Sequence, residues 1–376
     1  MRRVFTSESV TEGHPDKVAD YIADTILDAY LEEDSYSRTA IEVALYSNSV
    51  KLFGEITSNA QPDIDKLVRQ TITNIGYTEP QLGFSAENVS IECAFHKQSS
   101  DIAIGLSGTD INGGAGDQGI MFGYADKDGL DYLPLSIAYA HRLTKRLAEC
   151  RKRNILSYLY PDGKSQVSIE YDEEGKPLRI DTVVISTSHK ADVDIETVRR
   201  DVREKVIEAV LPMKLFDYNT RVLINPTGRF VHCGPAADSG LTGRKLICDT
   251  YGGVARHGGG AFSGKDASKT DRTGAYAARF LAKNVVAAGL ADRCEIELAY
   301  AIGVAEPVGI FVETFGTEHT KIENIYQKVK AVDLRPNALI DRFNLRRPVF
   351  EDLSNYGHFG ENAASAPWEK VDPSLL

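Results

Sequence analysis

The chain has 376 residues, of which 42% are hydrophobic and 26% are charged, and its formal net charge is -11. A chain of this length can form two or three domains with a large buried core. The acidic charge excludes a general nucleic-acid surface, which depends on lysines and arginines, and no apolar run approaches the ~20 residues of a membrane-spanning helix. The charge and the lack of such a run predict no nucleic-acid and no membrane partner. The five cysteines are scattered without a CxxC pair, which predicts reduced thiols and a cytoplasmic protein.

Apolar periodicity predicts a weak repeat of three units, each with a long helix, an alternating strand pair and a second helix. In the first unit, predicted over 1–100, Pro15 opens a helix whose apolar residues recur every three or four positions. Strand patterns follow at 40–58. Pro62 opens a second helix, and alternation over 89–95 predicts a further strand.

The second unit is predicted over 120–232 and the third over 233–376. The second contains a helix from Pro134, a hairpin at 165–187, a helix from Ile195 to Val210 and a strand at 221–225. The third contains a helix after Asp271, strands on either side of 305–307, and a helix carrying Ile322, Ile325 and Val332. These patterns predict an α/β fold of the α+β type, with three similar domains and mainly antiparallel sheets.

A glycine-rich segment, 101–119, separates the first two units. It has glycines at 105, 108, 113, 114, 116 and 119, and glycine at this density disfavours regular structure. The segment is either a disordered linker or a mobile lid over a site, because long loops inside compact chains are often functional.

The motif GHPDK, residues 13–17, lies where the first long helix is predicted to begin. Free backbone N–H groups and the helix dipole make such a position an anion site. His14 and Lys17 could contact a phosphate, and Asp16 could bind Mg²⁺, which prefers carboxylate and phosphate oxygens. Ordinary helix capping explains the same residues, so this motif alone leaves both interpretations open.

A second motif, GGGAFSGKDASKTD, covers residues 258–271. Residues 259–265 satisfy GxxxxGK, but Asp266 stands where a Walker loop needs Ser or Thr to hold magnesium. Lys265 and Lys269 could still contact phosphates, and Asp271 lies at a predicted helix start, as Asp16 does. Two carboxylates in equivalent places of a repeat could hold two magnesium ions. The alternative is a flexible basic surface loop.

Weaker signals come from LTGRK, residues 241–245, and from Lys164 in a predicted turn. Adjacent Arg244 and Lys245 can point at one polyphosphate, although such pairs are usually solvated. Glu42 and Glu55 lie on strands, on the face opposite their apolar neighbours. They are either solvent-exposed or, if a second subunit covers that face, in need of a cation or an ammonium group as partner.

Taken together, GHPDK, GAGDQG, GRK and GGGAFSGKDASKTDR, in this order, resemble the methionine adenosyltransferases of bacterial type, also called S-adenosylmethionine synthetases. The resemblance runs essentially from end to end, from FTSESVTEGHPDK through INPTGRFVHCGP and DTYGGVARHGGGAFSGKD to YGHFG. Sequence motifs of this length, in series, make a chance match very improbable.

The resemblance implies three α/β domains related by pseudo-threefold symmetry, in homodimers that usually pair into tetramers, with active sites at the dimer interface. It also implies that the sulfur of L-methionine attacks the 5′ carbon of the ATP ribose and displaces tripolyphosphate, which is hydrolysed to pyrophosphate and phosphate. A thioether is a weak nucleophile, so alignment and stabilisation of the leaving group are expected to dominate catalysis.

By the same resemblance, two Mg²⁺ ions and one K⁺ ion are expected at each site, with Asp16 and Asp271 holding Mg²⁺ and Glu42 holding K⁺. Catalytic roles fall on His14, Lys164, Arg244, Lys245 and Lys265. ATP contacts fall on these five and on Asp162, Arg229, Phe230, Asp238 and Ala261. Methionine contacts fall on Glu55, Gln98, Asp238 and Lys269. Asp117 would reach the substrates from the partner subunit.

The sequence departs from the family pattern in the segment from Gln98 to Gly113, which is one residue shorter than usual, and at Ala267, which replaces a common proline. These differences put the movement of the gate in doubt, not the reaction. Two other readings of the phosphate motifs remain: a nucleotide hydrolase or kinase that uses GxxxxGK, and a non-catalytic nucleotide-binding subunit.

Overall fold

The computed structural model describes residues 3–97 and 113–372. The helices are α1 (Pro15–Glu33), α2 (Ile64–Ile75), α3 (Leu135–Lys152), α4 (Ile195–Val202), α5 (Glu208–Val210), α6 (Leu246–Asp249), α7 (Thr270–Ala287), α8 (Ile322–Lys330) and α9 (Pro336–Phe343). The strands are β1 (Arg3–Val10), β2 (Arg38–Tyr46), β3 (Ser49–Thr57), β4 (Ser90–His96), β5 (Gly119–Asp126), β6 (Leu159–Tyr171), β7 (Pro177–His189), β8 (Arg221–Ile224), β9 (Gly240–Leu241), β10 (Arg293–Tyr300) and β11 (Gly309–Glu313).

The strands form three separate sheets. Their orders are β4-β3-β2-β9, β1-β6-β7-β8 and β11-β10-β5. All neighbouring strands in these sheets are antiparallel except β3 with β4 and β7 with β8. The predicted α/β fold with three mainly antiparallel sheets is therefore confirmed. No helix within the described ranges combines the length and the apolar composition needed to cross a bilayer.

The three sheets exchange strands in a closed cycle. β1, which precedes the first long helix α1, joins the second sheet beside β6. β5, which precedes the second long helix α3, joins the third sheet beside β10. β9, which precedes the third long helix α7, joins the first sheet beside β2. Because each unit lends one strand to the next, the three units are held together by backbone hydrogen bonds as well as by side-chain packing.

Each long helix packs on one sheet, including the strand that this sheet receives from another unit. α1 packs on β2 and β9, α3 on β6 and β1, and α7 on β5 and β10. Val18, Ile22 and Ile26, spaced by four residues along α1, are fully buried in the first core, as the predicted apolar face requires. The other two sheets have equivalent cores of their own.

Several local predictions need correction. The second helix begins at Ile64 rather than Pro62, because the Asp63 side chain accepts from the backbone N–H of Lys66 and caps the helix there. The third-unit helix ends at Lys330, before Val332. Sequence periodicity missed β1, β5 and α9. The two strands pair with a distant sheet and carry no local signal of their partner.

The proposed domain boundaries stay predictions, and the exchanged strands mean that no sheet is built from one contiguous stretch of chain. Most of the proposed gating loop over 101–119 lies outside the described residues. Only its last part, 113–119, is described, and it leads directly into β5.

Candidate active site

His14 lies at the start of α1 and is the N-cap residue of that helix. Its backbone is extended, and its Nδ1 accepts a hydrogen bond of 3.2 Å from the backbone N–H of Asp16. Burial, followed by the positive charges of Lys245 and Lys164, lowers the pKa of His14 to about 3. The imidazole is therefore neutral near pH 7. Since Nδ1 accepts, the proton is on Nε2, which is left as a hydrogen-bond donor.

Asp16 is the second residue of α1 and is almost completely buried. Its Oδ1 accepts from the backbone N–H of Leu241 at 3.0 Å, and its Oδ2 accepts from Nζ of Lys245 at 2.6 Å. Nη1 of Arg244 lies 3.7 Å from Oδ1. Burial opposes ionisation of this carboxyl, but Lys245 and the Leu241 N–H hold its pKa below the ordinary value, so it is a carboxylate at neutral pH.

The turn from Gly240 to Lys245 is fixed against the first helix and the first sheet. A Cβ at Gly240 would lie 2.2 Å from the backbone oxygen of Pro15, so only glycine permits this approach. Thr242 donates from its backbone N–H to Val43, and Gly243 donates to Oδ1 of Asp20 at 2.9 Å. These bonds hold Arg244 and Lys245 beside the start of α1.

Asp162 and Lys164 approach the same place from β6. Asp162 is buried, and its Oδ2 accepts from the backbone N–H of Gly234 at 3.0 Å. Its Oδ1 has no hydrogen-bond partner in the part of the chain that the structure describes, and burial raises its pKa to about 6. An unsatisfied buried acceptor is costly, so Asp162 is suited to accept from a ligand. We call His14, Asp16, Asp162, Lys164 and Lys245 the His14 cluster.

Asp271 and Lys265 form a second charged group at the start of α7. Asp271 is the second residue of this helix, as Asp16 is of α1. Its Oδ2 accepts from Nζ of Lys265 at 2.6 Å. A Cβ at Gly260 would lie 2.3 Å from its Oδ1, so glycine lets backbone approach the carboxylate closely. The predicted equivalence of Asp16 and Asp271 in the repeat is confirmed at the level of helix position.

The glycine-rich loop before α7 is not a Walker loop. A P-loop connects a strand to a helix, whereas the regular element that precedes 259–265 is α6. Asp266, in the Walker Ser/Thr position, is buried and accepts from the backbone N–H of Thr39 at 2.8 Å and from Nζ of Lys269 at 2.6 Å. The loop is therefore anchored along the edge of β2, and Lys269 is held by Asp266.

The two charged groups adjoin through the turn at 242–245. Oγ1 of Thr242 donates a short hydrogen bond to Oε2 of Glu42, while a Cβ at Gly243 would meet the methyl group of Ala261 at 2.6 Å. The same turn carries Lys245 to Asp16. One continuous strip thus contains both carboxylates and the lysines paired with them. We call Lys265, Asp271, Ala261 and Glu42 the Asp271 cluster.

The remaining predicted residues are less tightly connected. Glu55 lies 3.6 Å from Nε2 of His96 on the neighbouring strand. Asp238 is exposed, and its charge contributes to the raised pKa of Asp162, so it lies near the His14 cluster. Arg229 is exposed and reaches the backbone oxygen of Ala191.

Three further residues are predicted to contact the substrates: Phe230, Asp117 and Gln98. Phe230 is half-buried against the first core. Its carbonyl oxygen accepts a hydrogen bond from the backbone N–H of His189, and its own N–H donates to Nε2 of His189. Asp117 is exposed just before β5. It is two residues from Gly119, where an added Cβ would lie 3.6 Å from Oδ1 of Asp271. Gln98 lies outside the described residues.

Lys17 has a different role from the predicted phosphate contact. It is completely buried, and Nζ lies 3.0 Å from Oδ2 of Asp20 and in a short ion pair with Asp249. Although burial disfavours its charge, the two carboxylates raise its pKa above the ordinary value. Nζ also donates to the backbone oxygen of Ser354 at 2.9 Å. Lys17 is a buried structural cation that ties α1 to the C-terminal segment.

Sequence reasoning missed a stripe of aspartates along α1. Asp20, Asp24 and Asp28 recur every four residues, so they lie on one face of the helix, and all three are buried. Asp20 accepts from the backbone N–H of Gly243, and Asp24 accepts from that of Gly264 at 2.8 Å.

Asp24 and Asp28 have further partners. Asp24 also forms a bidentate pair with the buried Arg272, at 2.9 and 2.7 Å. Asp28 accepts from three consecutive backbone N–H groups, at 349–351. The four-residue spacing of aspartates in an otherwise apolar helix was the signal available in the sequence.

Comparison with known protein families gives three adjoining matches. Residues 2–100 match the N-terminal domain of S-adenosylmethionine synthetase, residues 112–230 match its central domain, and residues 232–370 match its C-terminal domain. The matches follow one another in the order of the domains and together span nearly the whole chain.

Proposed function

Because the chain belongs to the S-adenosylmethionine synthetase family, we propose that it is a methionine adenosyltransferase that makes S-adenosylmethionine from ATP and L-methionine. The observation that carries this proposal is the matched pair of helix starts, in which Asp16 and Asp271 each accept from a lysine at 2.6 Å. Two carboxylates, each with a cation beside it, suit a polyphosphate bound together with divalent ions.

In the proposed reaction, a sulfur lone pair forms the bond to the ribose 5′ carbon while the bond from that carbon to the polyphosphate oxygen breaks. The sulfur becomes a sulfonium, and the electron pair leaves with tripolyphosphate. Lys164, Arg244, Lys245 and Lys265 would stabilise the charge that develops on this leaving group. The neutral His14, with its proton on Nε2, would donate a hydrogen bond to the ribose or to the leaving oxygen.

The carboxylates fit the expected Mg²⁺ ions in kind and number. No group of three potential metal-binding side chains occurs in the residues that the structure describes. Mg²⁺ commonly keeps several waters and binds through one or two carboxylates plus substrate phosphates, so one ion at Asp16 and one at Asp271 suits this donor set. Mg²⁺ bound there would neutralise polyphosphate charge. Glu42, with the Thr242 hydroxyl beside it, offers oxygen ligands to K⁺.

Residues on both sides of the strip that joins the two clusters would contact the rest of each substrate. We assign the nucleoside of ATP to Asp162, Arg229, Phe230, Asp238 and Ala261, of which Asp162 offers a buried free acceptor. The methionine contacts would be Glu55, Gln98, Asp238 and Lys269. Carboxylates suit the ammonium group of an amino acid, and a lysine suits its carboxylate.

We further propose that two copies pair through the outer faces of the sheets, and that two such dimers associate. Each sheet exposes large apolar residues on the face opposite its core: Leu241 in the first sheet, Leu223 in the second, and Ile120 and Phe311 in the third. Covering these side chains with a second copy would remove apolar surface from water and so favour pairing. Glu42 and Glu55 lie on the same outer face of the first sheet, so the partner would cover them, and the partner's copy of Asp117 would reach the substrates.

The decisive experiment is incubation of the chain with ATP, Mg²⁺, K⁺ and L-methionine, followed by mass detection of products. Hydrolysis of the displaced tripolyphosphate by water gives pyrophosphate and phosphate, so the proposal expects these two products and S-adenosylmethionine in equal amounts. Stoichiometric ADP would instead indicate a kinase or hydrolase, and ATP binding without turnover would indicate a non-catalytic subunit. We place the reaction in the cytoplasm, because all five cysteines are unpaired.

A further inference from the structure

A cleft of about 580 Å³ opens on the side of α3, and none of its lining residues belongs to the His14 or Asp271 clusters. One wall is α3, a second is the segment around α5, and the third is the C-terminal segment at 356–362. A volume of this size is typical of small-molecule sites.

The floor of the cleft is apolar and its rim is basic. Leu133 and Phe359 are buried apolar residues of the lining, and Leu130 is half-buried. The cations of the lining are Arg142, Lys145 and Arg146, and its carboxylates are Glu149 and Glu361. The lining therefore carries one excess positive charge.

Lys145 is the source of that excess. Arg142 pairs with Glu361 at 2.7 Å, and Arg146 pairs with Glu149 at 3.2 Å. Lys145 is exposed and forms no ion pair with any residue in 3–97 or 113–372. A cation beside apolar surface and without a partner suits an anionic group on an apolar ligand.

Two residues of the lining, His141 and Tyr356, also carry buried polar atoms. Within the described chain, neither Nε2 of His141 nor Oη of Tyr356 has a hydrogen-bond partner of normal geometry. His141 is held from behind, where Nδ1 contacts Oγ of Ser9 at 2.8 Å. Burial, with a smaller contribution from Lys17, lowers the pKa of His141 to about 3, so the imidazole adds no charge at neutral pH.

We propose that this cleft binds a small amphipathic organic anion, with its apolar body on Leu130, Leu133 and Phe359 and its anionic group at Lys145. A polar atom on the buried end of the ligand would satisfy His141 or Tyr356. The site is separate from the proposed reaction and does not depend on it.

The test uses 8-anilinonaphthalene-1-sulfonate, an aromatic anion whose fluorescence rises in apolar surroundings. We expect saturable binding to the intact chain with one strong site per chain. Lys145→Glu reverses the charge at the rim, and Ala209→Trp fills the mouth with an indole; Ala209 is exposed and lines the cleft. Each change is expected to weaken binding about tenfold or more, because it removes charge complementarity or space.

The matched control is Lys330→Glu, which makes the same charge change on the exposed end of α8, outside the cleft. It is expected to leave the affinity unchanged. Circular dichroism and urea unfolding of all variants check that the fold is retained. Equal binding by the wild type and both cleft variants would place the dye elsewhere, for example on the exposed sheet faces, and would overturn the proposal, as would the absence of saturable binding.

Discussion

Nζ of Lys245 donates a hydrogen bond of 2.6 Å to Oδ2 of Asp16, although 229 positions of sequence separate the two residues. Lys265 and Asp271 form the same contact at the same distance within six positions. In the proposed reaction, both lysines would contact the polyphosphate and both aspartates would hold Mg²⁺. Binding of ATP with Mg²⁺ would therefore replace the partners of all four charges together. Each lysine and each aspartate would have a counter-charge both with and without substrate.

Lys265→Ala is expected to reduce kcat for S-adenosylmethionine formation by about 10²- to 10³-fold, the range for losing one preorganised contact to developing charge. The fold should persist, because the Lys265 side chain is partly solvent-exposed, at 20%, and its ion pair is with the comparably accessible Asp271, at 27%. Lys330→Ala, at the exposed end of α8, is the control and should leave kcat unchanged. Wild-type kcat in Lys265→Ala would remove this residue from the mechanism.

Asp16→Asn is expected to raise the Mg²⁺ concentration for half-maximal activity by about tenfold or more, because the neutral amide is a poorer ligand for a hard cation. The measurement is initial rate against free Mg²⁺ at saturating ATP. Asp65→Asn removes an exposed carboxylate that pairs with Arg69 on α2 and belongs to neither cluster, so it should have no effect. An unchanged Mg²⁺ dependence for Asp16→Asn would exclude it as a ligand.

Glu42→Gln is expected to abolish the stimulation of activity by K⁺ while leaving the Mg²⁺ dependence in place. Replacing the carboxylate keeps the size of the side chain and removes the charge that would attract the ion. Rates are compared in K⁺ and in Na⁺ at constant ionic strength. Glu92→Gln, an exposed change on β4, is the control. A wild type that is indifferent to K⁺ would contradict the assignment as directly as an unchanged variant.

The sequence predicted the long helices well, because their apolar periodicity and proline starts are local signals. It also placed Asp16 and Asp271 correctly at equivalent helix starts, and the turn at 242–245 and the loop at 258–266 do come together. Periodicity could not predict the cyclic exchange of β1, β5 and β9, since pairing with a distant sheet leaves no trace in a strand of two to eight residues.

The interior of α1 was the main source of error within the site. Charge at a helix start usually faces solvent or an anion, so the sequence predicts that Lys17 contacts a phosphate. The burial of Lys17 depends on Asp20 and Asp249, and Asp249 is far away in sequence. A buried charge is possible only when the fold supplies its partner, so local sequence cannot distinguish Lys17 from an exposed lysine.

Asp24→Asn is expected to lower the free energy of unfolding by about 3–5 kcal/mol, because it leaves the fully buried Arg272 with an uncompensated charge. It also weakens the bond to the backbone of Gly264, next to Lys265. Urea unfolding at a fixed protein concentration measures the first effect. Asp65→Asn again serves as the surface control, and a loss below about 1 kcal/mol, the scale of an exposed ion pair, would mean that Asp24 does not hold the loop.

His141→Gln is expected to change how stability depends on pH. The folded pKa of His141 is lowered to about 3, against an ordinary value of 6.5, so between these values the unfolded chain binds a proton that the folded chain does not. Proton binding to His141 therefore has little effect on the free energy of unfolding above pH 6.5, and it lowers that free energy as the pH falls below 6.5. At pH 5 the loss is about 2 kcal/mol relative to pH 7.

The measurement is urea unfolding of wild type and variant at pH 7 and pH 5, at one protein concentration. Buried Asp20 and Asp28, whose pKa values are raised to about 7 by burial, act in the opposite direction and cancel in the difference between the two proteins. The stability of the wild type minus that of the variant should therefore fall by about 2 kcal/mol from pH 7 to pH 5. Parallel pH profiles would show that His141 can take up its proton in the folded chain, through contact of the cleft with solvent.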